Sequence, residues 1–205
     1  MKTIKFFLLT VAVLSMSFIV PDTRLTSAER KYAVDLLQEN KDKILQKVNG
    51  LTAEQLNFKA DANSWSIAEC LEHIATSETK IFAQSQASLK EPADPSKRSE
   101  VKVTDIDIVK MVSDRSTKRK AEPELVPNGK FGSFDGIVRE FKTARDNNIY
   151  YLKTTTDDLR NHYNDFPFGK IDAYQTILLM TAHSIRHTAQ IDEVMKNPNF
   201  PKKNP

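Results

Sequence analysis

Residues 171–196 read I-D-A-Y-Q-T-I-L-L-M-T-A-H-S-I-R-H-T-A-Q-I-D-E-V-M-K, with neither glycine nor proline inside the run and Pro198 just beyond it. Apolar residues recur through it at helical spacing, so it is predicted to be one long helix that stops before the proline. His183 and His187 stand four apart, which stacks them on one face. At about 100° per residue, Leu179, Met180, Ile191 and Val194 share that face, so the two imidazoles point inward with them. Inward polar side chains of this kind belong to helix bundles, where facing helices build ligand and metal sites in the interior. Alone, the pair fits two readings: a chelate for one ion, or two hydrogen-bonded helix histidines.

Working outward, three more long helices are legible. Thr26 with Glu29 forms a capping box that opens a first helix, whose stripe is Tyr32, Leu36, Leu37, Ile44 and Val48 and which Gly50 ends. A turn-rich stretch over residues 51–64 follows. Ser66 with Glu69 is a second capping box, opening a second helix with Ile67, Leu71, Ile74, Ile81, Phe82 and Leu89 as its apolar face and Trp65 placed to staple against its first turn. Residues 90–130 form a long connection punctuated by Pro92, Pro95, Pro123, Pro127 and Gly129, with room for one short helix through Ile106, Val109 and Val112. A third helix covers residues 133–152, facing inward with Phe134, Ile137, Val138, Phe141 and Leu152. The expected fold is all-α: a four-helix bundle whose second and third helices are joined by a long crossover.

Composition agrees with this. A chain of 205 residues with 40% hydrophobic content supports one ordinary domain, and only 5 glycines suit helices. Residues 1–20 carry Lys2 and Lys5 followed by an apolar run from Phe6 to Val20, the pattern of an export signal or an N-terminal anchor, leaving residues 21–205 as the domain. The run is short for a membrane span, which needs about 20 apolar residues, so no stable span is expected after cleavage, and the location expected is periplasmic or extracellular. Removing the two lysines brings the formal charge of +3 close to neutral. Lys118, Arg119 and Lys120 lack interleaved aromatics, so nucleic acid is not an expected partner. The single cysteine, Cys70, can form no intramolecular disulfide and reads as a buried thiol.

His73 lies at the border of the second helix's apolar face, from which an imidazole reaches the bundle axis. With His183 and His187 it completes a candidate set of three ligands, while His162, among Asn161, Asn164, Asp165 and Gly169, reads as exposed. Three neutral imidazoles favour zinc, nickel, cobalt or iron over calcium and magnesium, with zinc the first choice. Three protein ligands leave a coordination position open for a water or a substrate atom, as in catalytic sites. Gln190 is a candidate to orient a ligand, Glu69 a candidate partner for His73 that its capping role already explains, and Arg145 a candidate anion-binding group. Glu78 and Arg186 read as salt-bridged or solvated helix residues.

W-S-I-A-E-C-L-E-H-I, residues 65–74, and A-H-S-I-R-H-T-A-Q-I, residues 182–191, resemble the two signature segments of the DinB-like superfamily. Residues 122–131, E-P-E-L-V-P-N-G-K-F, resemble the family's connection before the third helix. The resemblance covers nearly all of residues 21–205 and implies a four-helix bundle that binds a divalent metal through His73, His183 and His187. Relatives include thiol-cofactor-dependent S-transferases and isomerases and proteins proposed as metal-dependent hydrolases. Three functional readings follow: an exported hydrolase acting on a small molecule, a non-catalytic metal- or ligand-binding bundle, and a thiol-dependent S-transferase if the chain stays in the cytoplasm. Bundles of this kind also pair through exposed helix faces, so a homodimer is an allowed assembly.

Overall fold

The computed structural model describes residues 24–202. The segment read as an export signal lies outside the described residues. Six α-helices follow in order: α1 (Ser27–Val48), α2 (Ala53–Asn57), α3 (Ile67–Ser88), α4 (Asp105–Ser113), α5 (Phe134–Thr154) and α6 (Ala173–Met195). Both expected capping boxes form, Thr26 with Glu29 and Ser66 with Glu69, each satisfying helix N–H groups that would otherwise lack partners. Two more appear, Thr52 with Gln55 opening α2 and Asp172 with Gln175 opening α6. Gly50 ends α1 with a φ of 69°, a left-handed conformation that costs glycine little.

Side-chain bonds between helices fix their directions. Tyr174 donates to the Glu29 carbonyl at 2.7 Å, Asn40 meets Ser184 and Thr188, and Lys47 pairs with Asp192, so α1 and α6 run parallel. Ile74 packs with Ile137 and Phe141, Glu78 binds Arg145, and the Phe82 ring meets Tyr151, so α3 and α5 also run parallel. Arg30 donates to the Leu152 and Thr155 carbonyls while Lys41 reaches Asp146, making α1 and α5 antiparallel. Ser85 donates to the Ala173 carbonyl at the far end from His73 and His183, making α3 and α6 antiparallel. Both α1 and α3 pack on α5 and α6, which puts the first two long helices, α1 and α3, on a diagonal. Parallel neighbours cannot be joined by a tight turn, so the chain between α3 and α5 must travel back along the bundle. That is the expected crossover.

The crossover carries α4, which packs on the outer side of α6 through Ile108, Ile171 and Leu179. With α1, α3 and α4 around it, α6 is buried continuously over residues 173–182. Arg160, just ahead of a small hairpin, ties this layer down: it donates to Glu29 of α1, Asp105 of α4 and Asp172, and lies 4.2 Å over the Tyr174 ring. The hairpin pairs β1 (Tyr163–Phe166) with β2 (Gly169–Asp172) and adds two strands to an otherwise helical molecule.

Several sequence expectations need correction. Ile171 is the third residue of β2 and not the first of a helix, because Asp172 is the true cap. Tyr32 is 39% exposed; the buried stripe of α1 is Ala33, Leu37, Asn40, Ile44 and Val48, with a polar residue inside it. In α4 the buried residue is Ile108, and Ile106 faces out at 57% exposure. His162 is half-buried, its Nδ1 3.0 Å from the Ser88 carbonyl. Among the described residues no helix is long and apolar enough to cross a membrane.

Candidate metal centre

The capping box at Ser66 sets the start of α3, which places His73 two turns in, facing α6. There the Nε2 atoms of His73 and His187 each lie 3.2 Å from Nε2 of His183, and the ligand atoms of all three rings fall within 4.8 Å of one another. His73 and His187 are buried and His183 is half-buried. Trp65 walls the group, its ring 4.8 Å from that of His73 and 5.9 Å from that of His187. This placement complements its packing in the cluster with Ile67 and Cys70 at the start of α3.

The outer ring nitrogens fix the tautomers. His73 Nδ1 donates to the Leu125 carbonyl at 2.7 Å, and a carbonyl can only accept. His187 Nδ1 is 2.8 Å from Gln190 Oε1, which also accepts from Arg115 Nη1 at 3.2 Å; since an arginine can only donate, the amide oxygen faces both. His73 and His187 therefore present unprotonated Nε2 lone pairs to the same point. His183 Nε2 carries at most one proton and can satisfy one of them. The nearest hydroxyl, Ser77 Oγ, stands 3.5 Å from His73 Nε2, at the outer limit of a hydrogen bond.

Lone pairs converging in a buried site repel unless a cation sits among them. Tetrahedral ligands about 2.05 Å from a zinc ion stand about 3.3 Å apart, close to the two 3.2 Å separations that His183 makes, with all three ligand atoms within 4.8 Å of one another. The residues present thus fit one divalent ion held by three imidazoles. Burial also keeps the rings neutral, as ligation requires: it lowers His73 from its ordinary value, and with the neighbouring rings it brings His183 down to about 3 and His187 to about 2.

A pH dependence follows. Between pH 6.5 and about 3 the unfolded chain takes up protons on His183 and His187 while the folded, metal-free chain does not, so stability falls as pH falls. The slope is about 1.4 kcal/mol per pH unit for each histidine that stays neutral. Melting in the presence of a chelator should drop clearly from pH 7 to pH 5, and His183→Ala should flatten the dependence; an equal or higher melting temperature at pH 5 contradicts buried neutral rings.

The remaining candidates separate sharply. Gln190 contacts His187 as described. Glu69 closes its capping box, with Oε2 2.8 Å from the Ser66 N–H and Oε1 2.7 Å from Lys59, and does not reach His73. Arg145 is no anion-binding group: it is 0% exposed and fully engaged, with Nε and Nη2 donating to the two Glu78 oxygens at 2.5 and 2.6 Å and Nη1 to the Leu37 carbonyl at 2.9 Å. Glu78 also accepts from Asn148 at 3.1 Å. Arg186 donates to the Thr117 carbonyl. Cys70 is fully buried, which pushes its thiol up to about 12 and leaves it inert. A groove between α1 and α5, lined by Leu45, Val48, Leu51, Phe134 and Val138, touches none of the histidines. Leu125 and Glu72 escaped the sequence reading, since a backbone carbonyl and a helix glutamate carry no motif.

One histidine from α3 and an H-x-x-x-H pair from α6, meeting inside four helices, define the class of helix bundles with an interior metal site. The chain belongs to the DinB superfamily, whose family model matches residues 36–191. It is 28% identical over 148 residues to the uncharacterized protein YuaE of Bacillus subtilis strain 168, covering 72% of this chain and 87% of that one. Among solved structures it resembles YfiT from Bacillus subtilis, described as a probable metal-dependent hydrolase with an unusual four-helix bundle topology. That match has a TM-score of 0.51 at 17% identity and covers 91% of this chain and 97% of the other, and it shows the shared fold.

Proposed function

We propose that the protein is an exported, zinc-dependent hydrolase of a small-molecule substrate, with His73, His183 and His187 as the metal ligands. The convergence of three Nε2 atoms, those of His73 and His187 each 3.2 Å from that of His183 and with their lone pairs fixed inward, carries the reading. An ion held by three imidazoles keeps a coordination position free, and there supplies Lewis-acid activation of a water or of the substrate's electrophile. The chain's own residues orient the ligands and exclude bulk water: Leu125 and Gln190 hold the outer nitrogens, and Trp65 covers two of the rings. Export rests on the apolar segment after Lys2 and Lys5.

Elemental analysis of the purified chain, followed by a screen of ester and lactam hydrolysis in chelator-stripped and metal-restored samples, tests this. About one zinc per chain and activity that returns with metal are expected. Stoichiometric metal with no hydrolysis by the zinc, nickel, cobalt or iron form would reduce the site to a metal-binding one. No metal in any form would overturn the proposal. Fractionation checks export: an uncut cytoplasmic chain would overturn that part and point to a thiol-dependent transferase.

A further inference from the structure

Glu72 precedes His73 on α3 and is 4% exposed. Its Oε1 accepts three consecutive backbone N–H bonds, from Asn128 at 3.1 Å, Gly129 at 2.8 Å and Lys130 at 3.2 Å. Gly129, with a φ of 76°, bends the chain so that these donors converge, forming an anion nest that the buried carboxylate fills. The segment held this way is the end of the crossover. Just upstream, its 3-10 turn at Pro123–Leu125 presents the Leu125 carbonyl that accepts from His73 Nδ1. The other charged tie on that turn, Lys80 with Glu124, is exposed and contributes little.

We infer that Glu72 is a positioning residue for the metal site: by clamping the backbone of residues 128–130, it holds the Leu125 carbonyl where it fixes the ring and tautomer of His73. Two adjacent residues of α3 thus divide the work, one gripping the strap and the other being oriented by it. The affinity part of this inference rests on the metal reading above; the tautomer part does not.

Ring-nitrogen NMR of the metal-free full chain, with zinc titration beside it, tests the inference on Glu72→Ala, Glu72→Gln and Gly129→Ala. Gly129→Ala strains the nest from its exposed side without touching the core of α3, so it carries the test if Glu72→Ala does not fold. In wild type, His73 should be protonated at Nδ1 alone. Glu72→Ala and Gly129→Ala should show mixed His73 tautomers and bind zinc about tenfold more weakly. Glu72→Gln, which keeps an acceptor oxygen, should fall between. The inference is overturned if both disruptive variants keep a single Nδ1–H tautomer, whether or not affinity changes. If wild type binds no zinc, the metal reading fails and the tautomer comparison still decides the role of Glu72.

Discussion

Replacing His183 with alanine is expected to abolish stoichiometric zinc binding, weakening affinity by at least about a hundredfold, beyond what loss of an outer partner produces. His183 is the node of the group, 3.2 Å from the Nε2 atoms of both other histidines, so its loss leaves two ligands from different helices with nothing between them. Folding should survive, because the ring is half-buried and removal relieves the crowding of lone pairs. The control is His162→Ala, at the hairpin, where the ring contacts the Ser88 carbonyl and not the other histidines. Isothermal titration of both variants with zinc decides: equal affinity in His183→Ala and His162→Ala would remove the three-histidine site.

The second large effect concerns stability. Arg145→Met should cost about 3–5 kcal/mol, because it strands the Glu78 carboxylate at 2% exposure without its guanidinium partner. Glu78→Leu should cost a similar amount by stranding the guanidinium. The double variant should recover much of the loss, since desolvation offsets most of the attraction within a buried ion pair. Asn40 and Asn148 would still lose partners, so recovery would be incomplete. Denaturant unfolding of the three variants gives the coupling, and additive losses would show that the pair is not the unit this geometry describes.

Arg145 also shows where sequence reading stops. On the third helix it interrupts an apolar stripe, a pattern equally consistent with a cavity and with a buried partner. Its partner is 67 residues away on a parallel helix, and no local spacing announces that. The long helices were legible because capping boxes and periodicity are local, and the histidine set was legible because four-residue spacing fixes a helix face. The hairpin was not: its strands span four residues each, too few for a period-2 signal to stand out. Helix α2 failed for the same reason, at five residues, even though Thr52 and Gln55 spell its cap. Leu125 takes part through its carbonyl, which every residue possesses, so only the folded course of the crossover reveals it.

The parallel pairing of α1 with α6 and of α3 with α5 bears on how the chain assembles. Among the described residues, no two consecutive long helices of the four in the bundle pair side by side as an antiparallel hairpin; bonds such as Asn40 to Thr188 close over 148 residues. Loop entropy must therefore be surrendered before most of the packing is gained, which places the protein among slow folders for a helical molecule. The last of the described helices to be made, α6, carries two of the three histidines and is enclosed by α1, α3 and α4. A chain emerging from the ribosome holds His73 and the strap but no site, and competence to take up metal arrives only when α6 docks.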